Sequence, residues 1–491
     1  MKIRPSLEEA RAVAAQGYKI QPVSCELLSD RITPIEALRR LKNVSHHVYL
    51  LESVEESKRW GRYTFLGYDP KMELTCTDGR MTVSAGTAVQ MEVRHPGEVL
   101  RQVLADNRSP KVDYLPSFTG GLVGYWSYDY IKYAEPNLRL DAADEEGFKD
   151  IDLMLFDKVI AFDNLRQKIV LIANIRNDSL ETEYNRARRE LASIKELLFN
   201  GESCREGSGR LVTPPQALFT KEAFCKMVEK AKEYIVDGDI FQVVLSNRLT
   251  AEFEGSLLDT YRVLRTINPS PYMFYFSSDD IEMAGASPET LVKLEDGVLH
   301  TFPLAGTRWR GATQEEDERL EKELLADEKE RAEHNMLVDL GRNDIGKVSE
   351  FGSVTVEKYM GIEKYSHVMH IGSTVRGRLR GDMDAIHAMD SILPAGTLSG
   401  APKIRACQII NELENNKRGI YGGAVGYIDF TGNLDTCIAI RLAFKKNGRI
   451  FVRSGAGIVA DSVPENEYQE CINKAKAVIK ALEEAQEGLD G

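Results

Sequence analysis

The sequence predicts an α+β protein in two parts, and three observations predict it. Many strand-sized apolar segments follow one another through tight Gly- or Asn/Asp-containing turns, as in YIDFTGNLDTCIAI, which favours antiparallel pairing. Longer stretches with helical spacing interrupt and separate these segments. One composition break, NGESCREGSGRLVTPPQ at 200–216, is rich in Gly, Ser and Pro and reads as an exposed connector. It divides a first part, 1–205, from a second, 219–485, with a linker at 206–218 and a short tail at 486–491.

Before the connector, strand segments fall at YKIQPVSCEL, HHVYLLES, YTFLGY, MELTCT and KIVLIANI. Helices are expected at TPIEALRRLK and at DSLETEYNRARRELASIKELLF, which leads into the connector. After it, strands are expected at FQVVLSNRLTAEF, YMFYFSS, GVLHTFP, YGGAVGYIDF, TCIAIRLAF and RIFVRSGAG. Between them Thr313 with Glu316, and then Asp327 with Glu330, supply helix starts, because a capping side chain satisfies the free amides of a first turn. The last helix opens at Ser462 with Glu465, with Pro464 in its first turn. No period of ~20–50 residues recurs, which excludes repeat architectures.

Composition excludes several function classes. The 63 basic and 76 acidic residues leave a net charge of −13, which argues against general nucleic-acid or anionic-membrane binding. No apolar run reaches the ~18–20 residues of a spanning helix. The start, MKIRPSLEEA, lacks the apolar core of a secretory signal, so a cytoplasmic protein is expected. The seven cysteines are scattered without a C-x-x-C pair, as reduced thiols filling a core would be.

Two helices carry carboxylates beside their apolar faces. Glu330 and Glu333 border the face formed by Met336, Leu337 and Leu340, while Glu467 and Glu470 border the stripe from Tyr468 to Leu482. Taken alone, the first pair reads more readily as Glu330 capping its helix with Glu333 half exposed, and the second as a solvated acidic first turn that favours the helix dipole. Facing each other, the two pairs supply what a hard ion such as Mg²⁺ takes, completed by substrate oxygens and water. Gly455, Ala456 and Gly457 permit inward-turned amides that meet an anion, as do Thr397 and its neighbours in LPAGTLSGAPK. Arg441, set in the apolar run TCIAIRLAF, requires an anionic partner, usually a carboxylate. GRNDIGKV resembles a P-loop, but Val348 stands where Ser or Thr must hold the metal and a helix precedes it. GGLVGY at 120–125 lacks a dinucleotide context and reads as a tight strand turn.

In this order the pieces resemble anthranilate synthase component I, within the chorismate-utilising enzymes. The matching segments include LLES, GGLVGYWSYD, NPSPYMFYF, GASPETLV, PLAGTRWRG, DEKERAEHNMLVDLGRND, HVMHIGS, LPAGTLSGAPK, YGGAVGYIDF and SGAGIVADSVPENEYQE. The likeness covers nearly the whole chain and is densest from 219 to 485. It implies antiparallel sheets packed face to face with helices outside, a regulatory first part and a catalytic second part. It further implies a Mg²⁺-dependent lyase that makes anthranilate and pyruvate from chorismate and ammonia, the first committed step to tryptophan.

The resemblance also assigns residues. Glu333 and Glu470 are the implied Mg²⁺ ligands, with Glu467 beside them and Glu330 supporting from the catalytic set. Arg441, Tyr421 and the amides of Gly455, Ala456 and Gly457 hold the enolpyruvyl carboxylate, and Gly306, Thr307 and Thr397 complete the pocket. Glu289 of GASPE is the implied general acid and His370 of HVMH the group for pyruvate elimination; alone, such a histidine reads as a core residue. Gln242 stands where isochorismate and salicylate synthases carry a water-activating lysine, and Ala305 where aminodeoxychorismate synthases carry a nucleophilic one. With no base at 242, ammonia becomes the natural attacker, and both departures select the anthranilate synthases. Ser53, Pro271, Tyr272 and Met273 match the site where tryptophan binds as feedback inhibitor. No glutaminase motif is present, so ammonia is expected from a separate glutamine amidotransferase subunit, component II. An aminodeoxyisochorismate synthase that stops before elimination stays open. So does a non-catalytic tryptophan-sensing paralogue, although Glu289, Glu333, His370, Arg441 and Glu470 together argue against it.

Overall fold

The computed structural model describes residues 2–53, 61–205, 207–365 and 368–489. The first residue of the expected linker and the last two of the tail lie outside them. Among the described residues the strands form two antiparallel sheets, of 14 and 12 strands, flanked by helices. This is the α+β fold that the sequence predicts.

Side-chain alternation explains the layering. Along Val48–Glu52 and Tyr272–Ser277, the residues Val48, Leu50, Met273 and Tyr275 point one way, and Tyr49, Phe274 and Phe276 the other. The first set packs beneath the helices Pro34–Lys42, Leu180–Asn200, Leu258–Ile267 and Pro464–Gln486. The second set meets Tyr125, Met154, Phe156 and Val425 of the other sheet, so the two sheets close face to face on an aromatic-rich core. The outer face of the second sheet, through Leu122, Leu153, Leu291 and Ile428, is covered by Val338 and Ile345 of the helix Glu328–Gly346 and by Ile386 and Met389.

Both sheets run across the connector. Glu52 lies opposite Met273 in the first sheet, and Gly124 opposite Gly426 in the second. The described residues of the connector are mostly exposed or half-buried, yet Arg210–Leu211 within it and Gln216–Ala217 at its end pair with the long strand Gln242–Glu254.

Three local readings are corrected. GGLVGY is no turn but most of the buried strand Gly121–Trp126. A Cβ at Gly121 would lie 2.1 Å from the Ile428 carbonyl oxygen, and one at Gly124 2.0 Å from that of Asp152. The glycines therefore serve close approach of neighbouring strands rather than chain reversal. TCIAIRLAF is two strands, ending at Ile438 and resuming at Leu442. Ser462 does not cap the last helix; Val463 takes that place without a side-chain bond, and Ser462 accepts from the amide of Val459 at 3.1 Å.

Pro464 opens that helix as expected. Thr313 accepts from the Glu316 amide at 3.2 Å, and Asp327 from those of Lys329 and Glu330 at 3.1 Å. GRNDIGKV begins inside the helix Glu328–Gly346, as its rejection as a phosphate loop requires. All seven cysteines are free thiols, five of them buried. Among the described residues no helix is long and apolar enough to cross a membrane.

Candidate active site

The site forms where two segments change sheets side by side. Glu282–Ser287 lies in the first sheet and continues into Thr290–Glu295 in the second. Leu434–Ile438 lies in the second and continues into Leu442–Lys446 in the first. The crossings are bonded to each other: the Ala286 amide donates to the Arg441 carbonyl (3.1 Å), the Ile438 amide to that of Glu289 (2.9 Å), and the Ser287 hydroxyl to that of Ile438 (2.7 Å). Glu289 and Arg441 are thus brought to one corner by hydrogen bonds between segments about 150 residues apart.

Arg441 adopts φ 51°, a left-handed conformation costing a non-glycine residue roughly 1–2 kcal/mol. Its guanidinium has no hydrogen-bond or ion-pair partner among the described residues, and burial pulls its pKa down. A largely buried cation without a partner is a site for an anion. Thr397, in the short turn Gly396–Leu398, donates to Glu289 Oε1 at 3.2 Å. Burial pushes Glu289 up to about 8, against the opposing effects of that bond, Arg441 and Lys474. At neutral pH it is a protonated acid.

His370 lies on the strand Val368–Arg378 beside Leu304–Trp309, where the register slips between Ala305 and Arg308. Gly306, at φ 65°, occupies that irregularity, which a side chain would strain. Its carbonyl lies 2.8 Å from His370 Nδ1, with the Thr307 hydroxyl 3.2 Å from the same nitrogen. A bond to a carbonyl places the proton on Nδ1 and leaves the lone pair on Nε2. Burial lowers the His370 pKa against the effect of the Gly306 bond, so the ring stays neutral.

The helices Glu328–Gly346 and Pro464–Gln486 bring their carboxylates to the same region. Burial raises the Glu333 pKa, and repulsion from Glu330 and Glu470 adds to it; burial likewise raises Glu467, with Glu470 adding. Gln242 Nε2 donates to Glu333 Oε1 at 3.4 Å, while its own Oε1 is buried without a partner. Glu330 receives Arg308 Nη1 at 3.5 Å. A cluster of oxygen donors repelling one another suits a hard divalent cation, so the residues present fit Mg²⁺. Their ligand atoms are not drawn together: three such atoms within 4.8 Å occur, among the described residues, at His47, Glu73 and Asp279 rather than here.

Sequence reasoning missed Lys474. Its Nζ lies 2.6 Å from Glu470 Oε1 and donates to the Gly455 carbonyl at 3.1 Å, a half-exposed cation tying the acidic helix to the glycine strand. The i,i+4 spacing from Glu470 was the available signal. Along the strand Arg449–Ile458, a Cβ on Gly455 would lie 2.8 Å from the Tyr421 hydroxyl, and one on Gly457 2.5 Å from Gln242 Nε2. Ala456 points its methyl into the core and lies opposite Leu245 in the neighbouring strand.

Residues 46–480 match the model of the chorismate binding enzyme family. The chain belongs to that family. Within it the chain groups with proteins named anthranilate synthase component 1. It is 47% identical to that of Acetivibrio thermocellus over 98% of this chain and 99% of the relative. It is also 47% identical to that of Aquifex aeolicus (strain VF5), over 100% of both. The crystal structure of anthranilate synthase component I from Streptococcus pneumoniae TIGR4 superposes with a TM-score of 0.74 at 38% identity, covering 92% of this chain and 98% of that one. Chorismate-utilising enzymes therefore share this fold.

A separate cavity of about 1100 Å³ is lined by residues from before and after the connector, Ser53, Pro271, Tyr272 and Met273 among them. Tyr272 donates to Asp435 at 2.8 Å and accepts from the Thr290 hydroxyl at 3.1 Å. Thr290 directly follows Glu289, so one hydrogen bond separates this cavity from the acid's own segment.

Proposed function

We propose that this enzyme, an anthranilate synthase by family, adds ammonia to carbon 2 of chorismate with loss of the carbon 4 hydroxyl, then eliminates pyruvate to leave anthranilate. The observation that carries the reading is the corner itself, with a protonated Glu289, an unpartnered Arg441 and a neutral His370. Arg441, the Tyr421 hydroxyl and the Gly455–Gly457 amides would hold the enolpyruvyl carboxylate. Glu289 gives its proton to the departing hydroxyl, which leaves as water. His370 Nε2 then takes the proton from carbon 2 as the carbon 3–oxygen bond breaks. The released enolpyruvate is protonated on its methylene carbon to pyruvate. Mg²⁺ held by Glu333 and Glu470, with Glu467 and Glu330 in support, would neutralise the ring carboxylate. With Gln242 in place of a base no side chain there activates water, which leaves ammonia as nucleophile.

Ammonia from glutamine would come through a separate amidotransferase subunit, and tryptophan in the cavity at Ser53 and Tyr272 would restrain the enzyme. Mixing the chain with chorismate, Mg²⁺ and ammonium and following anthranilate fluorescence tests the reaction. Anthranilate that forms, and is suppressed by tryptophan, is the expected result. Chorismate consumed without anthranilate would mean that the enzyme stops at the amino intermediate or makes isochorismate. No consumption would overturn the catalytic reading.

A further inference from the structure

We propose that Arg418 is a positioning residue for this reaction, bracketing four separate pieces of the substrate pocket from behind. The inference rests on the reaction proposed above. Arg418 and Glu414 have side chains only 1% exposed, so neither faces substrate. Glu414 ends the helix Lys403–Glu414, and Arg418 follows the left-handed Asn415 that terminates it, which turns the guanidinium back onto the carboxylate. The pair is doubly bonded: Nε reaches Oε2 at 3.0 Å and Nη2 reaches Oε1 at 2.6 Å.

Two further N–H groups go to backbone of the site. Nη1 donates to the carbonyl of Leu398, the neighbour of Thr397, at 2.7 Å. Nη2 also donates to the carbonyl of Val244, two residues after Gln242, at 2.7 Å. Glu414 in turn accepts from the amide and hydroxyl of Ser246 at 2.8 and 3.0 Å. Val244 and Ser246 lie opposite Gly457 and Gly455, so the bracket fixes the strand on which the glycine amides are hung. The guanidinium also stands 5.7 Å from the Tyr421 ring centroid and 4.5 Å from that of Tyr128.

Thr397, Gln242, the glycine strand and Tyr421 come from four places in the sequence, and one planar cation touches the support of each. Lysine has one ammonium centre and cannot reproduce these directions. Displacing these groups by about 1 Å is enough to cost on the order of 100-fold in rate.

The test uses the full chain with Arg418→Lys, Arg418→Ala and Glu414→Gln. Chorismate affinity is measured by calorimetry with Mg²⁺ present, KM and kcat by anthranilate fluorescence, and folding by thermal unfolding with tryptophan binding as control. The expected result for Arg418→Lys is a folded protein that binds tryptophan normally but has a KM for chorismate raised about tenfold or more and a lowered kcat. Glu414→Gln should show the same change in smaller degree, and guanidinium ion should partly restore Arg418→Ala. A merely structural role would lower the folded fraction while leaving the KM and affinity of the folded molecules unchanged, and that result overturns the proposal. If Arg418→Lys does not fold, Glu414→Gln decides alone, with an unchanged KM counting against the bracket. A parent enzyme that binds chorismate without making anthranilate would defeat the reaction instead, and the affinities would still judge Arg418.

Discussion

At Glu289 a single carboxyl shows how burial sets chemistry. Its ordinary value of 4.5 rises to about 8 because ionisation would place a charge in a buried position that Thr397, Arg441 and Lys474 compensate incompletely. His370 is shifted the opposite way by the same desolvation, so one group holds a proton and the other has a lone pair at the same pH. Glu289→Gln preserves shape and the acceptor for Thr397 but supplies no proton. Anthranilate formation should fall by about 10²–10⁴-fold in the fluorescence assay. The same variant carries a stability signature. Between pH 4.5 and about 8 the native protein retains a proton that the unfolded chain has lost, so native stability declines as pH rises through that window. Glutamine does not titrate, so the melting temperature of the variant relative to its parent should increase from pH 5 to pH 8.5. Calorimetry at the two pH values checks this; a constant difference would mean that Glu289 is not held protonated. None of this was legible locally, because the burial of Glu289 comes from a crossing strand far along the chain.

The strands explain which parts of the site periodicity reveals. Alternation and turn residues were sufficient to locate the hairpin of Ala424–Asp429 with Leu434–Ile438 and the long strand Arg449–Ile458. The break at Arg441 was hidden because a segment passing between two stacked sheets stays apolar throughout, and apolarity alone does not record a change of sheet. GGLVGY misled for a related reason, since glycine serves close strand approach as readily as a turn. The acidic helix faces were readable from spacing, but their meeting depends on tertiary packing. Glycines in Arg449–Ile458 make a graded prediction. A Cβ on Gly455 would lie 2.8 Å from the Leu245 carbonyl, backbone that cannot yield, and would also press on the Tyr421 hydroxyl. On Gly457 it would meet the Gln242 side chain, which can turn aside. Gly455→Ala should therefore raise KM for chorismate about tenfold and destabilise by ~1–3 kcal/mol, with Gly457→Ala milder on both counts. Steady-state kinetics and denaturant unfolding of the two variants measure the order, and a reversed order would remove Gly455 from the pocket wall.

Across the whole molecule, two shared sheets join the proposed inhibitor cavity to the reacting corner. Feedback requires that tryptophan bind one arrangement of the enzyme more tightly than the other, and the coupling is reciprocal with chorismate. Tyr272 touches the cavity on one side and receives the Thr290 hydroxyl on the other, while the residue before Thr290 is the acid. Valine at 290 keeps the shape and removes the hydrogen bond, whereas Tyr272 retains its bond to Asp435. A net hydrogen bond is worth ~1 kcal/mol, so losing it from the linkage should weaken tryptophan inhibition about fivefold. Tryptophan affinity in the absence of chorismate should change by less than about twofold, because a hydrogen bond one step outside the cavity acts on the coupling rather than on the contacts themselves. By reciprocity, chorismate should also displace tryptophan less effectively from Thr290→Val than from its parent. Calorimetric titration of tryptophan with and without chorismate separates the two quantities. Equal loss of affinity under both conditions would make Thr290 a wall of the cavity; affinity retained with coupling reduced would make it the link between cavity and acid.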